Sequence, residues 1–184
     1  PGAGVMPVYH GANDQGAWDM GVWPQAIPGH KMIEDSPALK DLGHLWGAEL
    51  SDVPGVGNRA MFDGARHGDI EAMVVLGDHV HYEDGSLGDV IAGLDNLQFL
   101  VVSDTFMSPL AERANVLFPA EVWAEKTGTY TNVERRIQPL RKVVSNKRTE
   151  IRSDLDIVCS IAHAMGDRGF GHAEPEQVLE EIGR

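Results

Sequence analysis

Two short stretches set polar residues directly behind apolar runs. Gly77, Asp78 and His79 follow "EAMVVL", and Ser103 and Asp104 close "LQFLVVSD". A glycine in such a place lets a ligand approach the backbone closely. A carboxylate there can accept paired hydrogen bonds, from a ribose diol or from the adjacent N–H groups of a guanine edge. These types at this spacing suit a nucleotide. The same aspartates could simply cap the turn or helix that follows them, and the pattern leaves both readings open. A third stretch, "WAEKTGTYTNVERRIQ" (123–138), has the threonines, tyrosine and valine of a strand, yet it crowds Glu125, Lys126, Glu134, Arg135 and Arg136 around a glycine and Asn132. A surface hairpin would account for those charges, so the rest of the chain has to decide.

Several chemistries are excluded or weakened. No G-x-G-x-x-G follows a strand and no G-x-x-x-x-G-K-[ST] is present, so the usual dinucleotide fingerprint and phosphate loop are absent. No elbow motif supports a Ser-His-Asp triad. His79 and His81 in "DHVH" lack a third ligand nearby and read as a solvated loop. The single cysteine, Cys159, rules out an internal disulfide, and an iron–sulfur cluster needs about four thiolates. It sits in an apolar helical pattern and reads as a buried, inert thiol. With 15 basic and 28 acidic residues the net charge is −13, which argues against nucleic acid or an anionic membrane as partner. A local basic patch that holds a phosphate remains compatible with that balance. No apolar run is long enough for a membrane span and no signal peptide is evident.

The elements that must position these residues follow from the apolar pattern. "EAMVVLG" (71–77), "LQFLVVSD" (97–104) and "ANVLFPA" (114–120) are short, apolar and closed by turn-formers, as buried strands are. "SLGDVIAGLDN" (86–96) and "MSPLAERA" (107–114) between them have helical spacing. Alternation at this pace predicts an α/β fold, a Rossmann-like parallel sheet with flanking helices. Upstream, "GANDQGAWDMG" (11–21) reads as a loop or helix entry. "SPALKDLGHLWG" (36–47) and "NRAMFDGARHG" (58–68) read as helices, the first capped by Ser36. After the third strand, 121–145 forms an extended, hairpin-like excursion. Ser153 or Asp154 then caps a helix over "SDLDIVCSIAHAMG" (153–166). A first residue of Pro1 and an uncapped helical pattern in "QVLEEIGR" suggest a piece of a longer polypeptide.

Taken in order, "GANDQGAWDMGVWPQAIPGH", "LVVSDTFMSPLAERANVLFPAEVWAEKTGTYTNVERRIQPLRK" and "SDLDIVCSIAHAMG" resemble the large subunits of the molybdopterin oxidoreductases, the molybdenum or tungsten bis-pterin guanine dinucleotide enzymes. The run E-K-x-G-T-x-x-N-x-E-R-R-x-Q, Glu125 to Gln138, is the most specific part, and "QGAWDMG" with "PGH" is most similar to formate dehydrogenases. The resemblance covers nearly the whole chain. It implies that residues 1–184 are a later segment of one cofactor-binding α/β domain in a much longer subunit. That subunit also has an N-terminal domain, often with a 4Fe–4S cluster, a second pterin-binding domain and a C-terminal barrel. The metal-ligating Cys, selenocysteine or Ser segment of the family has no match here, so the resemblance implies no catalytic residue and no metal ligand in this chain.

By the same resemblance, Asn13, Gly77, Asp78, His79, Ser103, Asp104, Lys126 and Asp154 fall on cofactor contacts. Ser103 and Asp104 match the pair at the nucleotide end, and Lys126 matches a lysine that charge-pairs with the pyrophosphate. His79 and Val80 depart from the family's usual Asn and Pro. "MSPLAERANVLFP" lacks the common T-E-T-A and has Asn115 for the usual Asp. Excursion 121–145 is expected to pack towards the iron–sulfur domain, with Glu134, Arg135 and Arg136 in a buried or interfacial ion-pair network. The implied function is formate oxidation by the full-length subunit, with this chain alone inactive. The implied partners are the remaining domains and iron–sulfur or NAD-linked electron-transfer subunits. The expected compartment is the cytoplasm, or the periplasm if an upstream segment carries an export signal. A different class of relative, the cofactor-free iron–sulfur subunit of NADH:quinone oxidoreductases, shares the fold. Ser103, Asp104, Lys126 and Asp154 together favour cofactor binding over it. A nitrate-reductase-type enzyme would share the same residues.

Overall fold

A computed structural model describes residues 4, 6, 8, 11–77, 87–145, 147–167, 169–172 and 174–183. The chain divides into two compact units, one of Pro1–Gly57 with Thr129–Pro139, the other of Asn58–Gly128 with Leu140–Arg184.

The second unit carries the parallel sheet. Its elements are α3 (Asn58–His67), β3 (Ala72–Leu76), α4 (Leu87–Leu94), β4 (Phe99–Asp104), a 3₁₀ turn (Ala111–Arg113), β5 (Val116–Pro119), a second 3₁₀ turn (Trp123–Glu125), α5 (Asp154–Ala164) and α6 (Pro175–Ile182). The strand order is β3-β4-β5, all parallel. Register runs from Ala72 opposite Phe99 to Leu76 opposite Ser103, and from Val101 opposite Val116 to Asp104 opposite Pro119. Alternate residues therefore share a face. Met73, Val75, Leu100, Val102 and Leu117 pack with Phe62 of α3, Val90 and Leu94 of α4, and Leu110. That face is the core. The α/β expectation holds.

Two sequence expectations need correction here. Residues 71–77 were expected to be buried, yet Val74 and Leu76 on the other face are 61% and 52% exposed. Only the Met73 and Val75 side of this strand is packed, because α3 and α4 lie on one face. Residues 107–114 were expected to be helical, but only Ala111–Arg113 form a 3₁₀ turn. Pro109 supplies no N–H and restrains the residue before it. The Ser108 hydroxyl then accepts from the Ala111 N–H at 3.2 Å, closing a tight turn in place of an α-helix.

The first unit holds α1 (Asp14–Asp19), the antiparallel pair β1 (Ala26–Ile27) and β2 (Lys31–Met32), and α2 (Ser36–Trp46). It also takes most of the hairpin of β6 (Gly128–Thr131) and β7 (Ile137–Leu140). Helix α2 is capped by Asp35, whose carboxylate faces the Ala38 N–H, so Ser36 is its first residue and not its cap. Gly47 ends it in the left-handed conformation, φ 63°. The hairpin turn is built by Asn132. Its side-chain oxygen accepts from the N–H groups of Glu134 at 2.9 Å and Arg136 at 3.0 Å, and Arg135 sits at φ 59°. Asn132 is thus there to replace turn hydrogen bonds that the backbone alone would leave open. Glu134 and Arg136 pair at 3.4 Å with both side chains exposed, so within this chain they form a surface pair and not a buried network. No described helix is long and apolar enough to cross a membrane.

Candidate functional site

The carboxyl ends of the parallel strands are knitted to the start of α5. The Ala120 N–H donates to Asp104 O at 2.9 Å, extending the β4–β5 ladder by one residue. Ala120 also bridges Arg152, with Glu121 N–H donating to Arg152 O at 2.9 Å and Arg152 N–H to Pro119 O at 3.1 Å. The next residue, Ser153, is the N-cap of α5, its hydroxyl accepting from the Asp156 N–H at 3.1 Å. The first-turn residue Asp154 receives the Lys126 ammonium. Strand ends, helix N-terminus and lysine therefore belong to one connected edge, where ligands of open α/β sheets sit. The positive end of the helix dipole favours an anion there.

On this edge Ser103 is 1% exposed, and its hydroxyl is the one buried side-chain oxygen or nitrogen among the described residues without a hydrogen-bond partner. Such an orphan costs about 1–3 kcal/mol. Its neighbour Asp104 accepts from the N–H groups of Thr105 at 2.6 Å and Phe106 at 3.3 Å, both through Oδ1. The capping reading of Asp104 is therefore realised by one oxygen, while the other has no partner among the described residues. Phe106, just beyond, is 76% exposed. Gly77 turns out of β3 at φ 80° and donates its N–H to Ser103 O at 2.8 Å, so the two nominated strand ends adjoin. Asp78, His79 and His81 lie outside the described residues.

The model of one protein family, described as molybdopterin oxidoreductase, matches residues 3–164. The chain belongs to the molybdopterin oxidoreductase family. It is 35% identical over its full length to the probable oxidoreductase YjgC of Bacillus subtilis, of which it spans 18%. It is 34% identical to a putative formate dehydrogenase of Staphylococcus haemolyticus, over 99% of this chain and 18% of that protein. It is 36% identical to the F420-dependent formate dehydrogenase subunit alpha of Methanocaldococcus jannaschii, over 98% of this chain and 26% of that protein. The chain thus spans about a fifth to a quarter of the length of these relatives.

A molybdopterin cofactor implied by the family fits the edge on two structural grounds. The buried Ser103 hydroxyl lacks a partner, and the donor set is suited to an anion: an ammonium and a capped helix start. The described residues contain no group of three His, Cys, Asp or Glu that could hold a metal ion.

The structure gathers Gly77, Ser103, Asp104, Lys126 and Asp154 within the second unit. Asn13 belongs to the first unit, where its side-chain oxygen accepts from the Thr131 N–H at 2.9 Å. That bond ties the start of α1 to β6. A polar cluster that sequence reasoning passed over lies in the same unit. The Asp19 carboxylate accepts from the Gln15 amide at 2.8 Å and meets His30, while Gly29 N–H donates to Asp19 O at 2.8 Å. This clamp holds His30 at φ 57°. The signal available for it was the i, i+4 spacing of Gln15 and Asp19 on a helix. An open depression of about 870 Å³ beside α2, lined by Lys40, His44, Glu49 and Asp52 among others, contains none of the nominated residues.

Proposed function

We propose that this chain is the segment of a formate dehydrogenase-type catalytic subunit that cradles the nucleotide end of one molybdopterin guanine dinucleotide. In this reading residues 1–184 form part of one α/β cofactor domain. The excursion 121–145 packs towards an iron–sulfur domain with a 4Fe–4S cluster, and electron-transfer subunits complete the enzyme. The observation that carries the proposal is the orphaned Ser103 hydroxyl beside the Asp104 carboxylate at the end of β4, in a molybdopterin-family chain whose Lys126 pairs with Asp154 at the start of α5, which the Ala120–Arg152 bridge joins to the end of β5. The formate preference rests on the names of similar proteins, two of them called formate dehydrogenase.

Each residue has a definite task. The unpaired Asp104 oxygen accepts N–H groups from the guanine edge or hydroxyls from the ribose. The Gly77 turn leaves room for close backbone approach, and Asp78 and His79 are proposed as contacts on the family resemblance alone. Ser103 gains the partner its hydroxyl lacks. Lys126 offers a compact charge to the pyrophosphate. Asn13 is proposed as a contact through its amide nitrogen on the family resemblance alone. When bound, the pterin-held molybdenum or tungsten supplies the two-electron chemistry that converts formate to CO₂ and a proton.

The test is Asp104→Ala in the full-length protein, with released pterin and GMP measured per polypeptide. A charge-assisted hydrogen bond is worth roughly 1.5–3 kcal/mol, so the affinity loss should be about ten- to a hundredfold. Pterin and GMP should fall together. Undiminished pterin in the variant would reject the role, and pterin without GMP in the parent protein would reject the guanine dinucleotide form.

A further inference from the structure

The pairing of Lys126 with Asp154 bears on how the site is regulated. Lys126 is 25% exposed and Asp154 48%, and the two meet at the first turn of α5. Glu121, Glu125 and Lys142 on this excursion have partners of their own. Glu125 accepts from the Val122 N–H at 3.1 Å, and Lys142 pairs with Glu121 at 3.2 Å. Asp154 is therefore the carboxylate that holds Lys126. It is a poor direct contact for a phosphate, since two anions beside each other repel. It also occupies a helix start whose dipole favours whichever anion sits there. A phosphate and the Asp154 carboxylate thus compete for one cation and one helix end.

We infer that Asp154 is a positioning residue, the ligand-free partner of Lys126, which keeps the lysine at the start of α5 and yields it to the diphosphate when a nucleotide arrives. This rests on the proposed nucleotide site and adds a partner exchange to it. An ammonium with three donors can leave one carboxylate for a diphosphate without passing through an unpaired state. The exchange also lowers the net affinity for the nucleotide, because the Lys126–Asp154 pair must first be given up.

The experiment uses the full-length protein prepared free of cofactor, with guanosine diphosphate as the probe, measured by titration calorimetry. Lys126→Gln should weaken the affected binding component about tenfold or more, whereas Lys142→Gln should leave it unchanged. Asp154→Asn should tighten it several-fold, the opposite of what loss of a contact or of folding would do. In the double variant Lys126→Gln/Asp154→Asn most of the tightening seen with Asp154→Asn alone should be lost, because Asp154 acts chiefly through the lysine. Asp154→Ser, which keeps a residue at home in a first helical turn, should repeat the tightening. If Asp154→Asn and Asp154→Ser weaken binding or leave it unchanged while Lys126→Gln still weakens it, the inference is overturned and the site stands. If the parent protein does not bind the probe, or Lys126→Gln has no effect, the nucleotide site itself is rejected and the exchange with it.

Discussion

The side-chain oxygen of Asn13 accepts from the Thr131 N–H, although the family resemblance casts Asn13 as a cofactor contact. Both roles are compatible, since an amide has an acceptor at one end and donors at the other. They separate under substitution. Asn13→Ala should leave Thr131 N–H without a partner and destabilise the protein by about 1–3 kcal/mol, read from urea unfolding. Asn13→Asp keeps the acceptor and removes the donors, so it should lose much less stability while lowering cofactor content. Equal stability losses in the two variants would mean that the oxygen is not the atom that matters. Asn115 shows the same economy. Its side-chain oxygen accepts from Leu100 N–H at 2.7 Å and its own N–H donates to Leu100 O at 2.8 Å, extending the β4–β5 ladder. An aspartate in its place would accept the same hydrogen bond, so this departure from the family pattern leaves the ladder intact.

Among the elements, α3 and α4 meet so closely that one glycine decides the fit. A Cβ built on Gly93 would lie 2.6 Å from Phe62 O, a backbone atom that has to move with its helix. On Gly88, at the other end of α4, a Cβ meets nothing within 4 Å among the described residues. Gly93→Ala should therefore destabilise the second unit, by about 1–3 kcal/mol as overpacking does. Gly88→Ala should stabilise it by roughly 0.5–1 kcal/mol through reduced chain entropy and better helix propensity. Thermal unfolding of the two variants checks the contrast, and a stabilised Gly93→Ala would show that the helices do not pack as described. Neither helix spacing nor glycine content distinguishes the two sites in sequence. The approach of α4 to Phe62 does.

At the scale of the whole molecule, the 184-residue polypeptide should be silent as an enzyme. It spans only about a fifth to a quarter of its similar relatives, and it has one cysteine, Cys159, buried and in contact with His172 O. A buried thiol in apolar surroundings is a poor metal ligand. Cofactors of this size draw their affinity from enclosure, and a single strand-end edge encloses little. The purified polypeptide should show neither stoichiometric molybdenum, tungsten or iron by elemental analysis nor formate-dependent dye reduction. Turnover above background would refute the reading of this chain as a partial cradle.

The sequence by itself determined the order of the three parallel strands and of the helices around them, apart from residues 107–114, because buried strands and amphipathic helices impose periods of 2 and 3.6 that survive without any partner. It also placed the end of α2 at Gly47 and narrowed the cap of α5 to Ser153 or Asp154, of which Ser153 proves to be the one, since caps and stops are local chemistry. Specific side-chain runs such as "EKTGTYTNVERRIQ" determined the family. What only tertiary structure decided is partnership across distance. Asn13 joins Thr131, 118 residues away, and Lys126 joins Asp154, 28 residues away. Ser103 lost its hydroxyl's partners by being buried at a sheet end. No local period encodes these, since they depend on which surfaces the folded chain brings together. The covering of β3 on one face alone is a fact of the same kind. A run of valine and leucine reads alike whether one face or both are packed, and only the placement of α3 and α4 left Val74 and Leu76 open.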